Sequence, residues 1–285
     1  MSLAKMTVAF IGSGAMGEAM MKGMLNKKLV TPQQIIASDV HEPRVRELAE
    51  KYGVRPTTSN VEAAQAADIV VLSIKPQVLG HVMPEMQRAT HSVKLILSII
   101  AGQTIRTIVD GFANPSVVRS MPNTPAQIGQ GITVWTATPE VPAEQRQQAE
   151  ALLGALGEQL YVDDERYLDM ATALSGTGPA YVFMFMEALI DGGVHMGFSR
   201  RDAERLVLQT MRGSVEYAAA SGLHPAQLRN QVTSPGGTSA EAIYYLEKGG
   251  LRTMISRAIW AAYQRSVSLG GGTPVRNTDK LDDER

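Results

Sequence analysis

Cysteine is absent from the 285 residues, and this absence removes several kinds of chemistry at once. It excludes disulfides, zinc–thiolate sites, iron–sulfur clusters and a thiol nucleophile. The five histidines are scattered and show no metal-ligand spacing, so we expect no metal site. The G-x-S-x-G elbow typical of α/β-hydrolases is missing as well.

An excess of charge of one sign is also missing. Lys and Arg total 27 against 28 Asp and Glu, without a basic block, so we expect no nucleic acid and no membrane as partner. Apolar residues make up 44% of the chain, which allows sizeable cores. The first apolar run, residues 6–11, is interrupted by Gly12 and Gly14, so it predicts neither a secretory leader nor a membrane span. Together with the missing cysteine, these features favour a cytoplasmic protein.

The first half of the chain alternates short apolar runs with helical spacing, a pattern typical of α/β folds. Helix-like segments include 43–52 and 142–156. The strand-like runs are 7–11, 35–38, 69–74, 95–100, 117–120, 132–135 and 160–162. Because the strongest of them are continuously apolar, we predict a parallel, doubly wound sheet whose strands are buried on both faces.

The pattern changes near Asp163, after which we find no convincing strand. Helices are predicted at 179–196, from Ser199 to about Ala220, from Pro225, at 239–247 and at 251–269. The first of these is apolar nearly all round and needs burial on every side, so we expect it in the core of an oligomer. At roughly 100–200 residues per domain, we predict a sheet domain over 1–163, an all-helical domain over 164–270 and a flexible tail over 271–285.

A glycine-rich G-x-G-x-x-G segment follows the first strand and opens a helix. Gly12 permits the tight turn, Gly14 lets backbone approach a pyrophosphate, and Gly17 lets the helix pack closely on the strand. The pyrophosphate then faces free N–H groups at the positive end of the helix dipole. This context predicts a dinucleotide site at Gly12, Ser13, Gly14, Ala15, Met16 and Gly17.

Asp39 ends the second strand, where an acidic residue can hydrogen-bond the adenine ribose. That geometry favours NAD, because a carboxylate repels the extra phosphate of NADP. Arg44 and Arg46 follow and could attract that phosphate, although we favour solvated helix charges, so the choice between NAD(H) and NADP(H) stays open. Further cofactor contacts are predicted at strand ends, at Ser38, Ser73, Lys75, Pro76, Ala101 and Gly102.

The segment 233–239 precedes a helix and carries four hydroxyl residues and two adjacent glycines. Unshielded N–H groups at Gly236, Gly237 and Thr238 would form an anion-binding nest that suits a small carboxylate. The alternative is a capping turn with Ser or Thr as N-cap. Since a cap needs one hydroxyl, we favour the anion site. The loop at 175–181 by itself indicates a helix–helix turn.

No side-chain cluster for difficult proton chemistry accompanies these loops. An iminium carbon is already electrophilic, so its reduction needs mainly orientation and one donor near the nitrogen. Positioning alone can supply roughly 7–11 kcal/mol of a barrier in the best intramolecular cases. The missing cluster is therefore compatible with reduction of a C=N bond.

Five segments carry a family resemblance: residues 12–17, 73–76, 121–125, 175–181 and 233–239. In this order they resemble the pyrroline-5-carboxylate reductases, and the similarity extends from Met6 to about Leu269. The resemblance implies an N-terminal Rossmann domain and a C-terminal helical domain that forms a homodimer, with a decamer of dimers as the larger assembly. It also implies reduction of L-1-pyrroline-5-carboxylate to L-proline by NADPH or NADH, the last step of proline biosynthesis.

Carried over residue by residue, the resemblance implies roles at both loops. Ser239 stands at the position of a hydroxyl that hydrogen-bonds the ring nitrogen and assists protonation, where many relatives have Thr. Asp39 stands where some NADPH-preferring relatives have a small polar residue. The substrate carboxylate is held chiefly by the backbone N–H groups of Ser234, Gly237 and Thr238. The nicotinamide pocket is lined by Met121, Asn123 and Thr124, and the adenosine phosphate lies near Asn60.

Two other functions were weighed against this interpretation. A β-hydroxyacid dehydrogenase shares the plan, but its chemistry needs an acid or base for a hydroxyl proton, and that family uses a lysine early in the second domain. Residues 172–196 contain no lysine. A non-catalytic dinucleotide sensor would need no second anion site, so this hypothesis does not explain the hydroxyl-rich segment 233–239.

The assignment of Asp39 to the ribose can be tested directly. Asp39→Ser removes the carboxylate that repels a 2′-phosphate, so we expect the ratio of kcat/KM for NADPH over NADH to rise. The ratio is measured with both reduced cofactors. An unchanged ratio would show that Asp39 does not contact the ribose.

Overall fold

The computed structural model describes residues 3–273, with the side chain of Ala4 left aside. It contains two compact units, Met1–Thr177 together with Ala262–Arg285, and Gly178–Ala261. The division after Thr177 lies beyond the boundary predicted at 163/164, because the next helix belongs to the first unit. Of the predicted tail, residues 274–285 lie outside the described range.

One eight-stranded sheet forms the centre of the first unit. Its strands are β1 (Val8–Ile11), β2 (Ile35–Ser38), β3 (Arg55–Thr57), β4 (Ile69–Leu72), β5 (Leu95–Ser98), β6 (Val117–Met121), β7 (Gly131–Ala137) and β8 (Gly157–Tyr161). Their spatial order is β3-β2-β1-β4-β5-β6-β7-β8. The order in which strands are added changes direction at β1, with β2 and β3 on one side of it and β4 on the other. The glycine loop after β1 therefore lies at the switch point where doubly wound sheets bind ligands.

Two details of the sheet differ from the sequence prediction. The first six strands are parallel, but β7 pairs antiparallel with β6, and β8 runs parallel to β7. A short turn through residues 124–128 joins β6 to β7, and a connection of that length cannot carry a parallel crossover. Strand β3, whose sequence is Arg-Pro-Thr, was not predicted, because it is an exposed edge strand without an apolar run.

Helices cover both faces of the sheet. They are α1 (Ala15–Asn26), α2 (Glu42–Tyr52), α3 (Asn60–Gln65), α4 (Leu79–Met86), α5 (Ile105–Phe112), α6 (Ala143–Gly154) and α7 (Arg166–Ala171). Every residue of β1, β2, β4 and β5 is buried, and two separate apolar clusters fill the two faces. Burial on both faces explains the continuously apolar strands and fixes the frame on which the loops are presented.

The second unit is helical, with α8 (Gly178–His195), α9 (Arg200–Ser221), α10 (Pro225–Gln231), α11 (Thr238–Lys248) and most of α12 (Leu251–Leu269). Helix α8 buries only Gly193, and Met184 is 74% exposed. The stretch Arg166–His195 is long and apolar enough to cross a bilayer by length and composition, although one such helix is weak evidence for a membrane span, and 6% of its apolar window is buried. A single chain therefore leaves the apolar faces of α8 uncovered.

Candidate functional site

The glycine loop between β1 and α1 is built by close backbone contacts. Gly12 has φ +88°, and a Cβ there would lie 2.9 Å from the carbonyl oxygen of Ser73. A Cβ on Gly17 would lie 2.8 Å from the carbonyl oxygen of Gly12. The Ser73 hydroxyl donates to that same oxygen at 2.6 Å and ties the loop to the end of β4. The first and third glycines are thus required by packing.

The middle glycine has a different role. Gly14 is the exposed N-cap of α1, and no heavy atom lies within 4 Å of the place its Cβ would occupy. No side chain in the described range caps this helix, whereas Ser59, Thr104 and Ser199 cap α3, α5 and α9. The first N–H groups of α1, in the exposed Ala15 and half-buried Met16, stay open to an anion. This cradle fits the diphosphate of a dinucleotide.

Asp39 lies beside the loop, at the end of β2. Its carboxylate accepts the N–H groups of Ser13 at 2.9 Å and of His41 at 3.0 Å. Each carboxylate oxygen has a second lone pair for a ribose hydroxyl. The preceding Ser38 is buried and donates to the amide oxygen of buried Asn60 at 2.9 Å. Ser38 and Asn60 therefore support the glycine loop from within, next to Asp39.

A charged cluster that the sequence analysis did not assign adjoins this loop. Arg44 donates from Nε to the Ser13 carbonyl at 2.8 Å and from a terminal nitrogen to Glu18 at 2.5 Å. Lys51 and Tyr52 also donate to Glu18, each at 2.8 Å. Burial raises the pKa of Glu18, but hydrogen bonds from Lys51, Arg44 and Tyr52 outweigh it and lower the pKa to about 2. Arg44 is thus part of the loop's framework and not a solvated helix charge.

The other predicted cofactor contacts lie in the segments that follow β4 and β5. Lys75 is exposed and is the N-cap of the short 3-10 helix Pro76–Val78, directly beyond β4. Gly102 is buried with φ +70°, and a Cβ there would lie 2.5 Å from Cβ of Leu269. The segment holding Ala101 and Gly102 therefore packs on the last turn of α12, and Gly102 serves this close contact.

The segment after β6 carries the predicted nicotinamide contacts. Asn123 is held by its side-chain oxygen, which accepts the N–H of Ile132 at 3.0 Å, and Thr124 is exposed. The Met121 methyl lies 2.8 Å from where a Cβ of Gly176 would be, so a larger residue at 176 would displace Met121. Ser175 and Thr177 donate their hydroxyls to main-chain carbonyls of Ala171 and Thr172. Those two hydroxyls therefore stabilise the π-helical segment Thr172–Gly176, which leads into α8 where a helix–helix turn was predicted.

A buried arginine supports the segment from below. Arg119 on β6 is 3% exposed and donates to Glu165 at 2.7 Å and to Asp169 at 3.3 Å. Glu165 also accepts the N–H of Ile105, and Asp169 accepts the hydroxyl of Ser266. The network joins β6, α5, α7 and the end of α12. Sequence reasoning missed it, because the two residues of each hydrogen-bonded pair are 46 or more positions apart.

The second predicted loop lies in the helical unit, before α11. Gly237 is the N-cap, without a side-chain cap, and its N–H donates to the Ser234 carbonyl at 3.0 Å. Gly236 has φ +72°, a conformation that favours glycine. Thr238 and Ser239 are the first two residues of α11. The N–H groups that bond to the Gly237 carbonyl belong to later residues of the helix. The alternative prediction, a capping turn with Ser or Thr as the N-cap, is therefore wrong. The N–H groups of Thr238 and Ser239 have no partner within the helix and can bind an anion.

The sheet order and the glycine loop define the class: a dinucleotide-binding oxidoreductase with a Rossmann domain and a helical second part. Two family models match the chain. One is described as pyrroline-5-carboxylate reductase dimerisation and matches residues 165–269. The other is described as NADP oxidoreductase, coenzyme F420-dependent, and matches residues 7–102.

Full-length relatives give the particular family. The chain is 40% identical over 263 residues to a pyrroline-5-carboxylate reductase of Synechocystis sp., covering 92% of this chain and 98% of that one. The enzyme of Pseudomonas aeruginosa is 41% identical, with 92% and 96% covered. The crystal structure of Plasmodium falciparum pyrroline carboxylate reductase with NADP bound superposes with TM-score 0.86 at 31% identity, covering 93% and 98%. The chain belongs to the pyrroline-5-carboxylate reductase family.

The low pKa of Glu18 predicts how the first unit responds to acid. The pKa lies below its ordinary value of 4.5, so the ionised carboxylate contributes stability above pH 4.5, and this contribution is lost as the pH falls toward about 2. We expect wild-type protein to lose more unfolding free energy between pH 5 and pH 3 than Glu18→Gln does. Urea denaturation at both pH values measures this. Equal losses in both proteins would contradict the network.

Proposed function

We propose that this chain catalyses the reduction of L-1-pyrroline-5-carboxylate to L-proline with NAD(P)H. The observation that carries the proposal is the pair of bare helix N-termini, at Gly14 and Gly237, each without a side-chain cap. One suits a diphosphate and the other a small carboxylate. Family membership supports the imine substrate, since the relatives that cover nearly all of this chain are named pyrroline-5-carboxylate reductases.

The proposed role of each residue follows from its surroundings. Bound NAD(P)H supplies the hydride for the imine carbon. The open N–H groups around Gly14 hold the diphosphate, and Asp39 binds the adenine ribose. The N–H groups of Thr238 and Ser239 hold the substrate carboxylate, in a loop that Ser234 closes by accepting the N–H of Gly237. The substrate then loses most of its freedom to reorient, which is the main catalytic contribution available here.

Ser239 is the proposed catalytic residue. It lies in the first turn of α11, next to the proposed carboxylate site, so its hydroxyl can donate to the ring nitrogen of a carboxylate held there. As hydride adds to the imine carbon, the C=N π pair moves onto the nitrogen, which takes a proton from the Ser239 hydroxyl while the hydroxyl regains one from water.

The exposed apolar faces of the helical unit are proposed to be covered by a second copy of the chain. Phe183, Met184 and Phe185 on α8 are each more than 40% exposed. Surfaces of this kind mark protein contacts, and the matched dimerisation model covers α8. We propose a homodimer, with a decamer of dimers as the larger assembly, in the cytoplasm.

An assay with purified protein tests the reaction. NADH or NADPH oxidation is followed with pyrroline-5-carboxylate, and NAD reduction with 3-hydroxyisobutyrate is run beside it. We expect turnover only with the imine. Turnover with the hydroxy acid would favour a β-hydroxyacid dehydrogenase, and cofactor binding without turnover would favour a sensor.

Ser239→Ala tests the proposed donor. We expect kcat to fall by about 100-fold, since general acid catalysis contributes factors of this order, while the cofactor dissociation constant stays unchanged. Ser239→Thr, which retains the hydroxyl, should restore most of the rate. Full activity of the alanine variant would remove Ser239 from the mechanism.

Gly237→Val tests the carboxylate nest. A Cβ at this position would lie 2.6 Å from the Ser234 hydroxyl and 3.1 Å from its carbonyl oxygen, so the loop must deform. We expect the KM for pyrroline-5-carboxylate to rise about tenfold or more, as charge-assisted hydrogen bonds are lost. Gly154→Val is the control, because nothing lies within 4 Å of that position. An unchanged KM in Gly237→Val would refute the placement.

A further inference from the structure

Every nitrogen of the Arg44 guanidinium is engaged by the protein itself. Nε donates to the Ser13 carbonyl at 2.8 Å, and the terminal nitrogens donate to Glu47 at 2.9 Å and to Glu18 at 2.5 Å. The Glu18 side chain is 19% exposed and that of Glu47 is 56% exposed. Because ion pairs gain strength as water is excluded, Glu18 is the stronger hold on Arg44.

The position of Arg44 is the one at which a Rossmann protein would recognise the 2′-phosphate of NADP(H). Such recognition uses an arginine near the acidic residue that ends the second strand. Arg44 and Asp39 both bind Ser13, Arg44 through its carbonyl and Asp39 through its N–H. A phosphate on the ribose would need the guanidinium fork that Glu18 occupies. Arg46, the other arginine nearby, pairs with Glu42 at 2.5 Å.

We propose that Glu18 determines the cofactor selectivity of this chain: it holds Arg44 on the glycine loop, withholds it from a 2′-phosphate, and leaves Asp39 to select the ribose diol of NAD(H). The inference rests on the proposed function, whose cofactor site it refines. The pKa of Glu18, about 2, keeps the carboxylate charged at any working pH. Arg44 and Lys51 balance the charge of Glu18, so Asp39 is the carboxylate that opposes a phosphate at this end of the site.

Binding of cofactor fragments to the full chain tests the proposal without the imine reaction. Isothermal titration with AMP and with adenosine 2′,5′-bisphosphate gives the affinity ratio of bisphosphate over AMP. In Glu18→Gln one terminal nitrogen of the Arg44 guanidinium loses its anionic partner, and we expect this ratio to rise about tenfold, the effect of one charge-assisted contact to phosphate. The double variant Glu18→Gln with Arg44→Gln should show no rise, because the gain passes through Arg44.

Glu42→Gln is the matched control. It removes one negative charge from the same side of the protein but frees Arg46 instead of Arg44, so the ratio should stay within about twofold of wild type. An unchanged ratio in Glu18→Gln, an equal rise in Glu42→Gln, or a rise that survives in the double variant would overturn the proposal. A selective loss of affinity for the bisphosphate in the single variant Arg44→Gln would also overturn the proposal. This variant decides the question if Glu18→Gln does not fold.

The fragment experiment also separates this inference from the proposed function. Binding of neither fragment would overturn both, because no adenosine site would then exist. Binding with the expected ratios but without imine reduction would leave the selectivity inference intact and refute the proposed reaction.

Discussion

Two helices of this protein begin at a glycine that no side chain caps, and the proposed chemistry depends on those open N-termini. Gly14 begins α1 and Gly237 begins α11, both in extended conformation. Ser59, Thr104 and Ser199 cap α3, α5 and α9 with hydroxyls. Because α2, α4, α6 and α7 also lack a side-chain cap, it is the glycine N-cap that distinguishes α1 and α11. A glycine N-cap stabilises a helix by only a few tenths of a kcal/mol less than a Ser, Thr, Asn or Asp cap, and it leaves the first N–H groups open to the proposed diphosphate or carboxylate.

This arrangement explains why the site needs so little acid–base machinery. Hydride addition to an imine is limited mainly by orientation, and backbone N–H groups on rigid helices orient anions with little loss of side-chain entropy. The side chains near the cofactor loop have mostly supporting roles: Ser73 ties the loop to β4, Asp39 holds Ser13, and Arg44 closes the other side. Ser239 alone is proposed to serve the chemical step.

The helical unit shows a second constraint, the burial of apolar surface. A helix with apolar residues nearly all round is stable in water only if other helices cover it. In the single chain, α8 buries Gly193 alone, where an added Cβ would lie 3.0 Å from Cβ of Ala203 on α9. The remaining apolar surface accounts for the dimerisation that the family model describes, and it makes stability of this unit dependent on protein concentration.

The sequence by itself determined the features that rest on local pattern: the buried strands, the glycine loop before α1, the loop before α11 and the apolar α8. These follow from hydrophobic periodicity and from backbone conformations that only glycine adopts easily, so neighbours in sequence suffice to predict them. Tertiary structure alone decided the direction of β7, the burial of Gly102 under α12, and the partners of Arg44 and Arg119. From the sequence alone Arg44 is predicted to be a surface charge, because its partners are distant in sequence: Ser13 lies in the glycine loop and Glu18 lies on α1. Contacts of this kind depend on strand order and helix packing, which bring distant residues together and leave no trace in local spacing.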